Sequence, residues 1–249
     1  MIPRLLVADA VAGGEAVLAA DRAHYLLDVL RLRAGDPVEV FDGRGNRLQA
    51  HIIAADRRGA RLAIGAHVPG PTPSPLRPTL VQGIAQGDKM DLVVEKACEL
   101  GVERIVPVFT ERGTVRLDAA RAARRHAHWQ RIAEAACMQC GRDSLPMIDA
   151  PLALTAWLAA ANDGEAIGSG DIQRLLFSPD ATAPLTGAGI CASRPVEILV
   201  GPESGLSSAE EAQAESVGFM PVRLGGRILR TETAGLAALA ALQALAGDF

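Results

Sequence analysis

Lysine is almost missing from this chain. Of its 25 basic residues, 23 are arginine and 2 are lysine, Lys89 and Lys96. We read the skew as coding bias, which marks the two places where lysine persists. Aromatic residues are scarce as well, at 3% against 49% hydrophobic residues overall, so the core must be aliphatic and alanine-rich. No apolar run approaches the roughly 18 residues of a membrane span. Asp9 interrupts the short apolar segment near the start, so there is no signal-peptide layout. The expectation is a soluble, cytoplasmic protein.

Cysteine is limited to Cys98, Cys137, Cys140 and Cys191. Cys137-x-x-Cys140 leaves a redox or metal role open, but no second pair and no His-x-His partner stands at zinc spacing. Both cysteines fall on the apolar stripe of an expected helix, so packing is the better reading and no metal is expected. The absence of other pairs fits a reducing compartment. Phosphate-binding glycine signatures are also missing. Neither G-x-x-x-x-G-K-[ST] nor G-x-G-x-x-G occurs, which argues against ATP, GTP and dinucleotides by their usual routes. Nor is there an excess of positive charge, since the net charge is −4. Residues 1–74 carry 9 basic and 8 acidic groups, and residues 75–249 carry 16 and 21. That balance argues against generic, charge-driven nucleic-acid binding, so any such contact has to be local.

What is present divides in two. Residues 1–68 read as short strands at Arg4–Val7, Ala16–Leu18, Pro37–Asp42, Leu48–Ala54 and Ala60–Ala66. One helix, Asp21–Leu30, lies among them, with Asp21 as its N-cap. Asp42-Gly43-Arg44-Gly45-Asn46 reads as a hairpin turn. A small β-barrel with one helix fits this pattern. Residues 69–78 hold five prolines in ten positions, a stiff extended linker and a domain boundary.

From residue 79 to 249 strands and helices alternate. The strands are Thr79–Ile84, Arg104–Phe109, Arg174–Phe177, Val196–Val200 and Phe219–Leu224. The helices are Asp88–Gly101 (capped by Asp88), Asp118–Cys140, Leu152–Ala161, one opened by a Ser207/Glu210 capping box, and Glu232–Ala246. Asn162–Asp171 reads as a mobile surface loop. Such alternation implies an α/β domain with a mostly parallel sheet covered on both faces.

Two stretches stand out. Leu199–Ser207 leaves an apolar strand through Gly201-Pro202, and Leu224–Gly235 leaves another through Gly225-Gly226. Ligands in open α/β sheets bind beyond the carboxyl ends of strands, and glycine lets backbone groups approach a ligand closely. The residues alone therefore point to a small molecule, of unspecified identity, held between the two loops.

Five segments carry a family resemblance. They are His24–Arg31 followed by Gly35-Asp36; Lys89-Met90-Asp91 with Glu95–Val102; Ala135–Arg142; Gly201–Ser207; and Leu224–Ala234. They span nearly the full length in order. The chain resembles the 16S ribosomal RNA uridine-N3 methyltransferase family (RsmE) of the SPOUT class of RNA methyltransferases. One departure is clear: the family usually reads Gly-Pro-Glu-Gly-Gly where this chain has Ser204 in place of the first glycine of the pair. A side chain there could tighten the ligand loop or add a hydroxyl contact.

The resemblance implies a SPOUT-type trefoil-knotted parallel-sheet domain preceded by a PUA-like β-barrel. It implies S-adenosyl-L-methionine as cofactor, bound bent with its adenine contacted by backbone groups, and a homodimer whose active site draws on both subunits. The cofactor residues it implies are Leu199, Gly201, Pro202, Glu203, Gly205, Leu224, Gly225, Ile228, Leu229 and Thr233. The substrate it implies is a specific uridine in 16S ribosomal RNA of the small ribosomal subunit. Methylating uridine N3 requires loss of its proton, hence a base or an anion-stabilising cation. Arg230 is the expected cation, and Glu232 or Glu203 the expected base. RNA contacts are expected at Arg4, Arg22, His24, Arg31 and Arg33, and at Lys89, Lys96 and Arg142. A further basic run extends from Arg112 to Arg131. Two other readings stand beside this one: methylation of a different RNA position, and a non-catalytic RNA-binding or assembly factor with a relict pocket.

Overall fold

The structure is a computed structural model. It describes residues 2–56, 58–162 and 172–249, with only the backbone of residue 162. The chain forms two compact units. The first comprises Met1–Thr72 and Glu134–Leu145, and the second Pro73–Ala133 and Pro146–Phe249. The boundary falls within the proline-rich segment, and no helix or strand occupies residues 68–77. Residues 134–145, which the contiguous division assigned to the second domain, group with the first.

The first unit is β-rich. Its elements are β1 (Arg4–Leu6), β2 (Glu15–Ala19), α1 (Ala20–His24), β3 (Pro37–Phe41), β4 (Arg47–Asp56) and β5 (Gly59–His67). The sheet order is β1-β3-β4-β5-β2, antiparallel except for the parallel β1–β3 pair. Alternation sets the buried face: Leu48, Ala50 and Ile52 of β4 point inward and pack with Val38, Val40, Leu62 and Ile64. The turn at 42–46 forms as expected. The Asp42 carboxylate accepts from the backbone N–H of Arg44 and Asn46, and Gly43 and Gly45 supply positive φ. The helix departs from expectation at its start. Ala19 is the N-cap, without side-chain capping, and Asp21 sits in the first turn. The helix also continues through Val29 as a π-helical turn.

In the second unit, seven strands form an all-parallel sheet. They are β6 (Pro78–Gly83), β7 (Arg104–Phe109), β8 (Met147–Ile148), β9 (Leu152–Ala153), β10 (Gln173–Phe177), β11 (Val196–Val200) and β12 (Met220–Val222). The order is β12-β10-β11-β6-β7-β8, with β9 also on β7. The helices are α2 (Lys89–Glu99), α3 (Ala119–Cys140, whose residues from Glu134 on belong to the first unit), α4 (Leu154–Asn162), α5 (Ser208–Ser216) and α6 (Thr231–Ala246). All five residues of β11 are buried, because it lies between β10 and β6 with both faces covered. The Ser207/Glu210 capping box opens α5 as expected.

Three expectations are corrected in this unit. Asp88 is the N-cap of α2 but makes no side-chain cap. Leu152 and Ala153 join the sheet as β9 instead of starting the helix, and β12 is shorter than Phe219–Leu224. The loop expected at Asn162–Asp171 lies, beyond Asn162, outside the described residues. No helix among the described residues is long and apolar enough to cross a membrane.

One buried ion cluster anchors the first unit. Asp143 pairs with Arg4 and with Arg47 (3.0 Å). Arg4 also donates to the carbonyls of Cys137 and Arg142 and lies 4.8 Å over the Phe41 ring. Removing one partner of a buried pair strands the other charge away from water. Asp143→Ala should therefore destabilise this unit by about 3 kcal/mol, read as a lowered urea midpoint for its far-UV signal. A change below about 1 kcal/mol would show the cluster to be dispensable.

Candidate active site

A cavity of about 690 Å³ opens at the carboxyl ends of β10, β11 and β12. Three loops wall it: Ser178–Asp180 after β10, Gly201–Leu206 after β11, and Arg223–Thr231 between β12 and α6. The loop after β11 turns at once, with the Gly205 N–H donating to the Pro202 carbonyl (2.9 Å). It also lies against the end of β6. A Cβ on Gly83 would stand 2.5 Å from the Pro202 nitrogen, so only glycine permits this approach.

A buried polar relay joins these parts. Gln82 Nε2 donates to Thr231 Oγ1 (2.9 Å), and Thr231 Oγ1 donates to the Gly201 carbonyl (2.6 Å). The relay ties the end of β6, the end of β11 and the start of α6 to one another.

Most of the expected cofactor residues meet here. Gly201, Pro202, Glu203, Gly205, Leu224, Gly225, Ile228 and Leu229 all line the cavity, as does Arg230. Ile228 does so from the mouth, 84% exposed. Two do not line it. Leu199 is fully buried in the sheet core, packed with Val81 and Val106, because it precedes the last residue of the strand. Thr233 is exposed on α6, while Thr231 and Ala234 face the cavity instead. The helix begins one residue earlier than the sequence suggested, which sets which side chains face inward.

Two charged groups mark the site. In the first, Lys89 Nζ lies 2.7 Å from Glu203 Oε1 and 3.8 Å from Glu232 Oε2. Burial raises the Glu203 carboxyl. The Lys89 hydrogen bond and the backbone N–H groups of Glu203 and Gln86 outweigh it and hold the group below its usual range. The Glu203 hydrogen bond in turn raises the Lys89 ammonium. The pair is thus intact at neutral pH and is lost as pH falls through the lowered Glu203 value or rises through the raised Lys89 value. Glu232 differs: its Oε2 is buried and has no hydrogen-bond partner. In the second group, burial and then the neighbouring Asp180 raise the Glu211 carboxyl.

The expected RNA contacts are scattered. Lys89 belongs to the cavity wall. Lys96 is held between Glu95 and Glu99, each at 2.7 Å. The Arg4 side chain is nearly buried, committed to Asp143 and to carbonyls. Arg22 pairs with Glu134 (2.9 Å) and His24 with Asp28 (2.6 Å). Arg31 and Arg33 are exposed, and Arg142 is half-buried. Along the later basic run, Trp129 is core, donating to Asp91, which also accepts from His128. Arg112 donates to the Leu206 carbonyl (3.0 Å).

Sequence reasoning missed Gln82, Thr231, Asp180, Arg223 and Arg227, and it placed Arg112 only in the basic run. Gln82 alone had a signal, as one amide in the apolar run Leu80-Val81-Gln82. The others acquire meaning only when distant loops converge.

Residues 72–243 match the RNA methyltransferase domain family, and residues 18–65 match the RNA methyltransferase PUA domain. The ribosomal RNA small subunit methyltransferase E of Buchnera aphidicola is 30% identical over all of this chain and 95% of its own. The chain belongs to the ribosomal RNA small subunit methyltransferase E family. A crystal structure of that enzyme from Neisseria gonorrhoeae, bound to S-adenosyl methionine, has 36% identity and a TM-score of 0.90 over all of both chains. A putative methyltransferase from Legionella pneumophila, in complex with S-adenosyl methionine, has 30% identity and a TM-score of 0.91, again over both whole chains. The expected architecture, a PUA domain followed by a parallel-sheet methyltransferase domain, is the one observed.

Within the family resemblance, Ser204 was the point of departure. Its Oγ donates to the Arg112 carbonyl (2.8 Å), while the Arg112 side chain donates back to the Leu206 carbonyl. The hydroxyl therefore clasps the loop after β11 to the segment after β7. A hydrogen bond of this kind contributes about 1 kcal/mol. Ser204→Ala should speed amide exchange at residues 203–206 by about fivefold. Unchanged exchange would show that the clasp does not restrain the loop.

Proposed function

We propose that the protein methylates N3 of a uridine in 16S ribosomal RNA of the small subunit, with S-adenosylmethionine as methyl donor. The single observation that carries this reading is the cavity at three strand ends, where Arg230, Lys89 and Glu203 line the wall and Glu232, which does not itself line it, stands 3.8 Å from Lys89. Family membership and the cofactor complexes of the related enzymes support it.

The residues present fit the cofactor. The cavity volume lies in the range of small-molecule sites, and its lining combines Leu176, Val200, Leu206, Leu224 and Leu229 with glycine backbone. Asp180 and Glu211 on its wall suit the ammonium group of an amino-acid tail. Bound S-adenosylmethionine supplies an electrophilic methyl group carried on a sulfonium. Gly201, Pro202, Gly205, Gly225, Leu224 and Leu229 would hold it.

The chain's own task is the uridine proton. N3 is a poor nucleophile until that proton leaves. Glu203 is a weak candidate for the base, because Lys89 and two backbone N–H groups already stabilise its anion. Glu232 is the better one: its Oε2 has no donor, and an N–H brought to it would satisfy a buried oxygen. Arg230, at the N-cap of α6 and on the cavity wall, stabilises the uracil anion. Lys89 keeps Glu203 ionised and adds positive charge beside Glu232.

We take the Arg223–Thr231 segment to be the threaded part of a trefoil knot, and the working unit to be a cytoplasmic homodimer. The exposed Leu245 and Phe249 are apolar surface that a second copy would cover.

Labelled methyl transfer to small subunits and to naked RNA from a strain lacking the enzyme tests the reaction. Reverse transcription should stop beside a single uridine, because an N3 methyl blocks the pairing edge. A stop at another base, or none, would overturn the substrate. Arg230→Ala should lower kcat by about 10²-fold or more, with S-adenosylhomocysteine affinity unchanged by calorimetry. Glu232→Gln should lower kcat by about 10²-fold, with S-adenosylhomocysteine affinity unchanged. Near wild-type turnover in either variant would remove that residue from the chemistry.

A further inference from the structure

The Arg223–Thr231 segment carries more positive charge than the proton chemistry uses. Arg223, Arg227 and Arg230 fall within eight residues, are exposed, and line the cavity. Among the described residues, Arg223 and Arg227 have no ion pair and no side-chain hydrogen bond. Several other arginines of the same unit are committed, Arg77 to Glu103, Arg104 to Asp149, Arg121 to Asp118 and Arg174 to Glu197. Arg124, Arg125 and Arg131 on α3 also lack such partners among the described residues, but they do not line the cavity. Arg112 and Arg116 donate to backbone carbonyls.

Clustered like charges without counterions oppose one another, so the arrangement is favoured when an anion arrives. A lone carboxylate of the cofactor would neutralise only one of them. The surroundings sharpen the point, since residues 75–249 carry an excess of five acidic groups, 21 against 16. A polyanion is repelled by that background and needs a local cationic patch at the place where it must dock. Arg223 is also well placed to fix a register. Its N–H donates to the Ala183 carbonyl (3.0 Å) and its own carbonyl accepts from Leu185 (3.2 Å), so its backbone is held on both sides.

We infer that Arg223 and Arg227 form a phosphate clamp at the cavity mouth, gripping the backbone of single-stranded RNA on either side of the nucleotide that enters the site. This rests on the RNA methylation proposed above. The clamp reads phosphate and not base, so it positions the strand without selecting sequence. The uracil is then selected at the cavity wall, by Lys89 and Arg230 with Glu232 beside Lys89.

The test measures binding of short oligouridine and oligoadenosine of equal length across a salt series. It compares the wild-type protein, Arg223→Ala, Arg227→Ala and the double variant. Each phosphate contact to a single strand contributes about 0.7 to the slope of log affinity against log salt. Each single variant should flatten the slope by about 0.7, and the double by about 1.4, equally for both oligonucleotides. KM for RNA should rise more than kcat falls, and Arg227→Lys should restore the slope. Affinity for S-adenosylhomocysteine, measured by calorimetry, should stay within about twofold in all variants, a difference below about 0.4 kcal/mol. Unchanged slopes would overturn the clamp. So would loss of S-adenosylhomocysteine binding with the slopes intact, because the arginines would then serve the cofactor. Failure of the uridine-N3 reading is separately visible: wild-type protein would leave uridine unmethylated whatever the slopes show.

Discussion

The hydrogen-bond relay from Gln82 through Thr231 to the Gly201 carbonyl is the constraint on which the site depends. Its three members lie far apart in sequence, and each belongs to a different element. A buried amide and hydroxyl are costly unless paired, so the relay penalises any arrangement in which α6 starts elsewhere. Fixing the start of α6 also fixes Arg230 at its N-cap and Glu232 in its first turn. The close approach of Gly83 to Pro202 works in the same direction, setting the loop after β11 against the end of β6. The chemistry therefore inherits its geometry from the sheet.

Charge around the cavity is sorted by partner. Lys89 and Glu203 satisfy each other, which leaves Glu232 with an oxygen lacking a hydrogen-bond donor and, among the described residues, Arg230 without a carboxylate of its own. Unsatisfied polar groups cost stability, and they concentrate where a substrate can complete them. The arginines at the mouth extend this arrangement outward. An acidic protein can still attract RNA if cations gather at the entrance, even with Asp180 and Glu211 on the wall of the same cavity. Ser204 adds a local restraint, since its hydroxyl closes a reciprocal contact with Arg112 on the loop that carries Glu203.

Much of the fold was legible in the sequence, for physical reasons. Four of the five residues of β11 are apolar because it is buried on both faces, and the fifth, Glu197, is paired with Arg174. The Ser207/Glu210 pair is a capping box because two backbone N–H groups needed acceptors. The errors fall where tertiary pairing overrides local preference. Leu152 and Ala153 look helical but join β7, and Asp21 and Asp88 have capping chemistry that the backbone does not use.

The sequence by itself determined the layered α/β pattern, the proline boundary, and the two glycine-marked loops that hold most of the expected cofactor residues. Periodicity and turn chemistry act over a few residues, so they can be read locally. Only the tertiary structure decided which charges are spent and which are free. Arg4 was expected to contact RNA and is held on Asp143, whereas Arg223 and Arg227 passed unnoticed and, among the described residues, stand unpaired at the cavity mouth. Burial and pairing are properties of neighbours in space. A lone arginine in a sequence carries no record of whether a carboxylate will be folded against it.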